Sequence, residues 1–437
     1  MHHAFDPGSN TLYLWDGSQR NGYQMGTPVT LNGDLLVTSE SASEVYVFDL
    51  TNGHHLQTLR SLTGALLYQF GYDAAGLLVT ATDASNNVTT IQRDASEHPI
   101  AIISPFGQTT SLTFDANGSL SQVTDPAGDI QTFTNDPTGL MQTRADANGN
   151  ASSYSYEGGR LTKDADSIGG FVVLGRTNAG SGFRYTVSET TSMGRTSTYQ
   201  TTLTLPWAQN GSSPESHQHT NIWPNGLQAE EMLSLQKVQL SEQSTMPEGT
   251  SDSQTVGPDP RFGLQSPVLT SETLTQGNLT MNTTGSRTAS FTASNPFSLT
   301  TQTDTRTVNG RKYTSVFTAS TKTWVDSTPM KRTTTTVLHS LQRASSVQVG
   351  ALLPLQFTYD ANGRISMITQ GTRVGTFTYD ANGFLATSTD PLKQTTSYTH
   401  DAAGRLATQT LADGREETLD SLPQRSRIRN VAVPAGR

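Results

Sequence analysis

Cysteine is missing from all 437 residues, which removes disulfides, thiolate chemistry and every zinc site built on sulfur. Charge is thin as well: 15% of residues are Asp, Glu, Lys or Arg, against about a quarter in an average globular chain. The 28 Lys and Arg are outnumbered by 37 Asp and Glu and form no extended basic run, so the electrostatic footprint of a nucleic-acid partner is lacking. The longest apolar stretches, Phe171–Leu174 and Ala351–Leu355, fall far short of the roughly 20 residues that a membrane-spanning helix needs. No membrane span is expected. The opening MHHAFDPGSNTLYLWDGSQR has neither the basic start nor the apolar centre of a secretory leader. Helical periodicity is nearly absent too. What remains is a polar chain of net charge −9, too modest for its length to keep it unfolded.

What is present is a repeat. An aspartate followed three residues later by glycine, with an aromatic before it, occurs as Tyr72-Asp73…Gly76, Phe114-Asp115…Gly118, Tyr359-Asp360…Gly363 and Tyr379-Asp380…Gly383. Asp73, Asp94, Asp115 and Asp136 are each 21 residues apart, and Glu157 continues the phase. A second array runs Asp360, Asp380 and Asp401, the last with Gly404; stepping back 21 residues from Asp360 reaches His339 and then Thr318, which read as eroded copies. Halfway between lie further turn signals at Asp83, Ser104, Asp125 and Asp146. Turns every 10 or 11 residues leave strands of about six residues, the spacing of an all-β meander. The turn chemistry follows from the backbone: Asp accepts hydrogen bonds from the amides ahead of it, and Gly supplies the positive φ that lets the next strand leave. These aspartates are therefore expected to form turns, not to catalyse.

At these residues the sequence resembles the YD repeat, Y-D-x-x-G-R-L, of bacterial rearrangement-hotspot (RHS) proteins and animal teneurins. Tyr359-Asp360-Ala-Asn-Gly363-Arg364-Ile365 and His400-Asp401-Ala-Ala-Gly404-Arg405-Leu406 carry it most fully. It extends to Val47-Phe48-Asp49 through Gly76, to the connector Gly257-Pro-Asp-Pro-Arg-Phe-Gly263, and to the opening Phe5-Asp6-Pro7 with Leu14-Trp15-Asp16-Gly17. The pattern departs at Arg93 and Asn135, which replace the aromatic, and at Glu97, Gln342 and Lys393, which replace turn glycines. The resemblance implies an all-β YD-repeat ribbon of short antiparallel hairpins, forming a curved open sheet or partial β-shell. Residues 1–48 would be a lead-in, 49–205 a first array, 206–267 a polar insertion or connector, 268–416 a second array and 417–437 a frayed tail. The family's shell is closed by a plug bearing further motifs, an aspartyl autoproteolysis core among them, and no match to those motifs is seen here.

Candidate sites for other chemistry are sparse. From Asn210 to Val256 the chain is rich in Ser, Gln, Glu and Pro and reads as a long loop or partly disordered insertion, with one short helix at Ala229-Glu-Glu-Met-Leu-Ser-Leu-Gln236. His2-His3 and His54-His55 would point to opposite faces of a strand; His217 and His219 would share one, yet two ligands make a weak metal site. No Gly-x-Ser-x-Gly elbow is present. No catalytic residue, metal or cofactor is expected. The resemblance implies a non-catalytic structural wall, enclosing a toxic effector domain or serving as a recognition scaffold outside the cell or at its surface. The implied partners are further YD repeats, a C-terminal effector of the same polypeptide family, or cell-surface glycans and proteins. A reading from another class is a carbohydrate-binding or carbohydrate-active β protein, with Trp207, Trp223 and Trp324 as stacking platforms. A third is a truncated repeat fragment without independent function.

Overall fold

The computed structural model describes residues 2–6, 11–15, 29–39, 41–179, 184–204, 215–236, 239–293 and 295–418. Among these there are 37 strands and no helix, and so no helix long and apolar enough to cross a membrane. The described pairings are antiparallel and join strands consecutive in the chain, the meander that the turn spacing predicts. Trp207 and the segment from 419 onward lie outside the described residues.

The chain divides into two units, Met1–Val88 with Phe171–Thr372, and Thr89–Gly170 with Arg373–Arg437. In the second unit the strands are short, three to seven residues, and strands such as Thr109–Phe114, Ile130–Asn135 and Thr395–His400 alternate strictly between exposed and half-buried positions. Paired registers put Leu112 opposite Val123 on one face and Thr113 opposite Gln122 on the other. Threonine suits the wet face because its β-branch favours the extended backbone while its hydroxyl stays solvated. Opposed threonines also bond across strands, Oγ1 to Oγ1, at 2.6 Å for Thr134 and Thr143, 2.6 Å for Thr378 and Thr387, and 2.7 Å for Thr399 and Thr408. Each such pair contributes roughly 0.2–1 kcal/mol.

The first unit holds longer strands, up to Gly263–Gln276 and Leu279–Phe291, and the most closely packed core. Leu36, Val45 and Val47 pack with Phe262, flanked by Leu31, Leu59 and Phe297. Phe262 belongs to the Gly257–Gly263 connector, where Asp259 pairs with Gly263 across a tight hairpin. The Asp259 carboxylate has no solvent exposure; its Oδ1 accepts the amides of Arg261 and Phe262, and its Oδ2 accepts Arg287 Nη1 at 2.9 Å. Arg287 also grips Asp304 through Nε and Nη2 at 2.7 and 2.8 Å. Burial lowers the pKa of Arg261, opposed by the Asp259 charge, and its Nη1 donates to the Ser61 carbonyl 200 residues away. Ser266 closes the same junction by bonding the Thr38 hydroxyl and the Ser39 carbonyl. The connector thus fastens the N-terminal hairpins to the middle of the chain.

One expectation is corrected. The polar stretch read as a long loop with a helix at Ala229–Gln236 contains strands Glu215–Ile222, Gln228–Gln236, Gln239–Thr245 and Ser251–Asp259. Its hairpins turn at Trp223-Pro-Asn-Gly226 and Met246-Pro-Glu-Gly249, where a large apolar residue holds the aspartate position and proline sets the turn. The backbone bonds are those of an Asp-x-x-Gly corner: Trp223 N–H to Leu227 O at 2.9 Å and Gly226 N–H to Trp223 O at 2.9 Å.

Candidate functional site at the repeat corners

Each YD corner is built from one short stretch of backbone. At Asp73 the amide donates to Leu77 O at 3.0 Å, Gly76 N–H donates back to Asp73 O at 3.0 Å, and Oδ1 accepts the amides of Ala75 and Leu77, both at 2.9 Å. Asp115 repeats this with Asn117 and Ser119, Asp401 with Ala403 and Arg405, and Asp360 and Asp380 accept the amides of Arg364 and Phe384. Gly76, Gly118, Gly363, Gly383 and Gly404 sit at φ between 77° and 85°. The substituted corners keep the same geometry: Glu97, Gln342 and Lys393 adopt φ of 68°, 58° and 67°. His339, the eroded copy, uses Nδ1 in place of a carboxylate to accept Leu341 N–H at 2.9 Å. Burial, and then the charges of Arg343 and Lys322, lower its pKa, which keeps the ring in the neutral form that can accept.

The aromatic before the aspartate has its own bond. Tyr359 OH donates to Ala344 O at 2.7 Å and Tyr156 OH to Met141 O at 2.9 Å, each fifteen residues back, and Tyr72 OH donates to His55 O at 3.0 Å. Asn135, which breaks the aromatic pattern, sends its Nδ2 to Leu120 O at 2.9 Å, again fifteen residues back. The polar tip of the tyrosine is thus preserved where its ring is lost.

Successive corners interlock. The residue just after one corner slides under the aromatic and the glycine of the next. His54 stacks on Tyr72 at 4.1 Å, His98 on Phe114 at 4.9 Å, and Phe384 lies against His400 at 5.3 Å. A Cβ on Gly76, Gly118 or Gly404 would come within 3.1 Å of His54, 3.3 Å of His98 or 2.7 Å of Phe384. Glycine is therefore required at Gly404 twice over, by φ and by the ring above it.

Corners also dock across the chain, within each unit. In the first, Asn87 Nδ2 donates to Asn362 O at 3.0 Å, Arg343 Nη2 to Ser85 Oγ at 2.8 Å and Thr63 Oγ1 to Gln342 Oε1 at 2.9 Å. In the second, Gln108 Nε2 donates to Asn382 O at 2.5 Å, the Phe106 ring covers Gly383, and Arg405 bridges Asp401 and Asp129. Those two carboxylates, Asp129 foremost, raise the pKa of Arg405. The mid-repeat corners of the first array, at Asn87, Gln108 and Asp129, step by 21 and meet Asn362, Asn382 and Arg405 of the second. We call this the corner seam.

The model of a family described as Teneurin YD-shell matches residues 32–437. The chain belongs to the teneurin YD-shell family. Teneurin-3 of Mus musculus is 33% identical over 128 residues, 29% of this chain and 5% of that protein. Teneurin-1 of Gallus gallus is 34% identical over 128 residues and Teneurin-4 of Homo sapiens 30% over 145. The chain spans about 5% of the length of these relatives. Among solved structures, a Photorhabdus luminescens Tc holotoxin pore aligns with a TM-score of 0.48 at 14% identity, over 87% of this chain and 22% of that one. A TcdB2-TccC3 crystal structure without its hypervariable C-terminal region gives 0.46 at 14%, again over 87% and 22%.

The remaining candidates of this YD-shell chain are placed as follows. His55 packs against Phe48 and Phe70, and burial lowers its pKa. His217 and His219 share a face, opposite Leu203 and Thr201. Among the described residues no group of three His, Asp or Glu is placed to hold a metal ion. Trp324 leans on the fully buried Phe317 at 5.2 Å, so it packs, whereas Trp223 is exposed at a corner. A cleft of about 710 Å³ is lined by Arg287, Asp304, Arg306, Tyr313 and Asp326 among others. Several of its charges are engaged with one another or with neighbours: Arg287 with Asp304, Arg306 with Glu272, Asp326 with Ser315. The pairings of the corner seam gave no signal in the sequence, because they join residues some 275 positions apart; the connector was legible as a motif, but its ties to Arg287 and Ser61 were not.

Proposed function

We propose that this YD-shell segment is non-catalytic wall whose task is to enclose a protein effector, outside the cell or at its surface. The observation that carries this reading is the corner seam. A wall that only displays a surface needs hairpins paired with their neighbours; a wall that confines a cargo also needs its separate courses joined edge to edge. The seam supplies such joints at Asn87, Gln108 and Asp129. The carboxylates repeated along the arrays are committed to backbone amides, which suits a scaffold and leaves them poorly placed as acids or bases.

The test is a reporter domain appended after residue 437 and challenged with protease. In the parent protein the reporter should persist; with Gln108→Ala, Arg343→Ala and Arg405→Ala combined, and circular dichroism still all-β, it should be cleaved. Equal cleavage in both proteins would overturn the enclosing role. Turnover of glycosidase, esterase or peptidase substrates, abolished by one Asp or Glu substitution, would overturn the non-catalytic one.

A further inference from the structure

One face of the middle hairpins carries chemistry that a wall does not use. The strands Arg184–Thr191, Thr196–Thr204, Glu215–Ile222 and Gln228–Gln236 pair in turn. Their registers set Tyr185, Thr201, His219 and Glu231 in one row and Val187, Tyr199, Asn221 and Ala229 in the next. Side chains from both rows, Tyr185, Val187, Tyr199, Thr201, His219, Asn221 and Glu231, line a shallow groove of about 550 Å³. Three strand spacings give it a width of about 14 Å.

The groove combines three recognition elements. The first is a pair of tyrosines set diagonally on adjacent strands. The ring of Tyr199 is 38% exposed and held in place by its hydroxyl, which donates to Glu189 Oε2 at 2.9 Å. Arg176 sits 4.1 Å over the Tyr185 ring, showing that a cation is accepted at this surface. The second element is hydrogen-bonding groups: the Asn221 amide, and the His219 ring fixed through Nδ1 by the Thr201 hydroxyl at 3.3 Å. The third is excess negative charge. Glu231 lines the groove, and the register continues its row through Ser244 to Asp252, with Glu242 on the same face. Burial, and then the Glu231 and Asp252 charges, raise the pKa of Glu242, so these carboxylates press on one another.

We propose that this groove binds a protonated amino-sugar oligosaccharide. The exposed Tyr199 ring would receive the apolar face of a pyranose, Asn221 and His219 the hydroxyls, and Glu231 with its neighbours the ammonium groups, relieving the like-charge pressure. A neutral sugar leaves that pressure in place, and a flexible polycation leaves the ring and Asn221 unused. The inference does not rest on the wall reading, since none of the residues lining the groove belongs to the corner seam.

Calorimetric titration of the purified chain tests it with three probes: a glucosamine tetramer, its fully N-acetylated counterpart and tetralysine. Binding is expected for the glucosamine tetramer alone. Glu231→Gln, nearly isosteric, and Tyr199→Ala should each weaken it by about tenfold or more, the scale of a lost charge-assisted contact. Gln108→Ala at the seam should leave it unchanged. No binding, equal binding of the acetylated tetramer or of tetralysine, or insensitivity to Glu231→Gln would each overturn the proposal.

Discussion

At the scale of single residues, the corner glycines separate into two kinds. Gly149 has positive φ and open space around the position of a Cβ, whereas Gly383 has the same backbone beneath the Phe106 ring, which such a Cβ would meet at 2.5 Å. An L-residue in the left-handed region costs roughly 1–2 kcal/mol, and forcing a methyl into a filled contact costs about 1–3 more. Gly149→Ala is therefore expected to lower stability by about 1 kcal/mol and Gly383→Ala by clearly more. Lys393→Gly, which relieves a left-handed lysine at φ 67°, should raise it by a few tenths to about 1 kcal/mol, the gain being trimmed by the freer unfolded chain. Urea midpoints of the three variants measure this. Equal losses at both glycines would show that Phe106 does not cover Gly383.

At the scale of the hairpin, the aspartate corner is an acid-sensitive clasp. Hydrogen bonds, the Thr138 hydroxyl first and the amides of Leu140, Thr138 and Gly139 after it, hold Asp136 below its ordinary 3.8 despite some opposing desolvation. Asn150 does the same for Asp146 and Thr51 for Asp49. Because the folded value is the lower one, these bonds contribute fully above the ordinary value and are lost as pH falls through the depressed one. The urea midpoint should slip a little between pH 7 and 5, where His55 and His339, held below the ordinary imidazole value, take up protons on unfolding, and drop steeply below about pH 4; no further fall between about pH 5 and 2.5 would mean that the carboxylates do not support the turns. These corners were legible in the sequence wherever Asp and Gly kept their spacing, and even Glu97, Gln342 and His339 could be placed by counting. The hairpins at Trp223 and Met246 were hidden, because a bulky apolar residue stands where the aspartate would be. Trp-Pro-Asn-Gly and Met-Pro-Glu-Gly were the available signal, a proline at the second turn position and a glycine at the fourth. The helix expected at Ala229–Gln236 failed for a related reason: eight residues of helix-forming composition were overruled by strand partners on both sides.

At the scale of the whole chain, the Asp259 hub is the strongest long-range tie in the first unit. Removing one partner from a buried ion pair leaves a charge uncompensated, at a cost of about 3–5 kcal/mol. Asp259→Ala should lose that much stability in urea unfolding, and faster amide exchange should follow at Leu36 and Val45, whose hairpin Arg261 and Phe262 anchor. A loss below about 1 kcal/mol would reduce the hub to a surface-type pair. The corner seam has an evolutionary corollary. Arrays of equal repeats lengthen and shorten readily by recombination, since each repeat carries its own turn chemistry. Here Asn87, Gln108 and Asp129 each find a partner 275, 274 and 276 positions downstream. Gaining one repeat in the first array alone would push a corner past its mate and leave it bare. Length changes in the two arrays must therefore be inherited in matched pairs, so the gene can be spliced freely in principle but only by double events in practice.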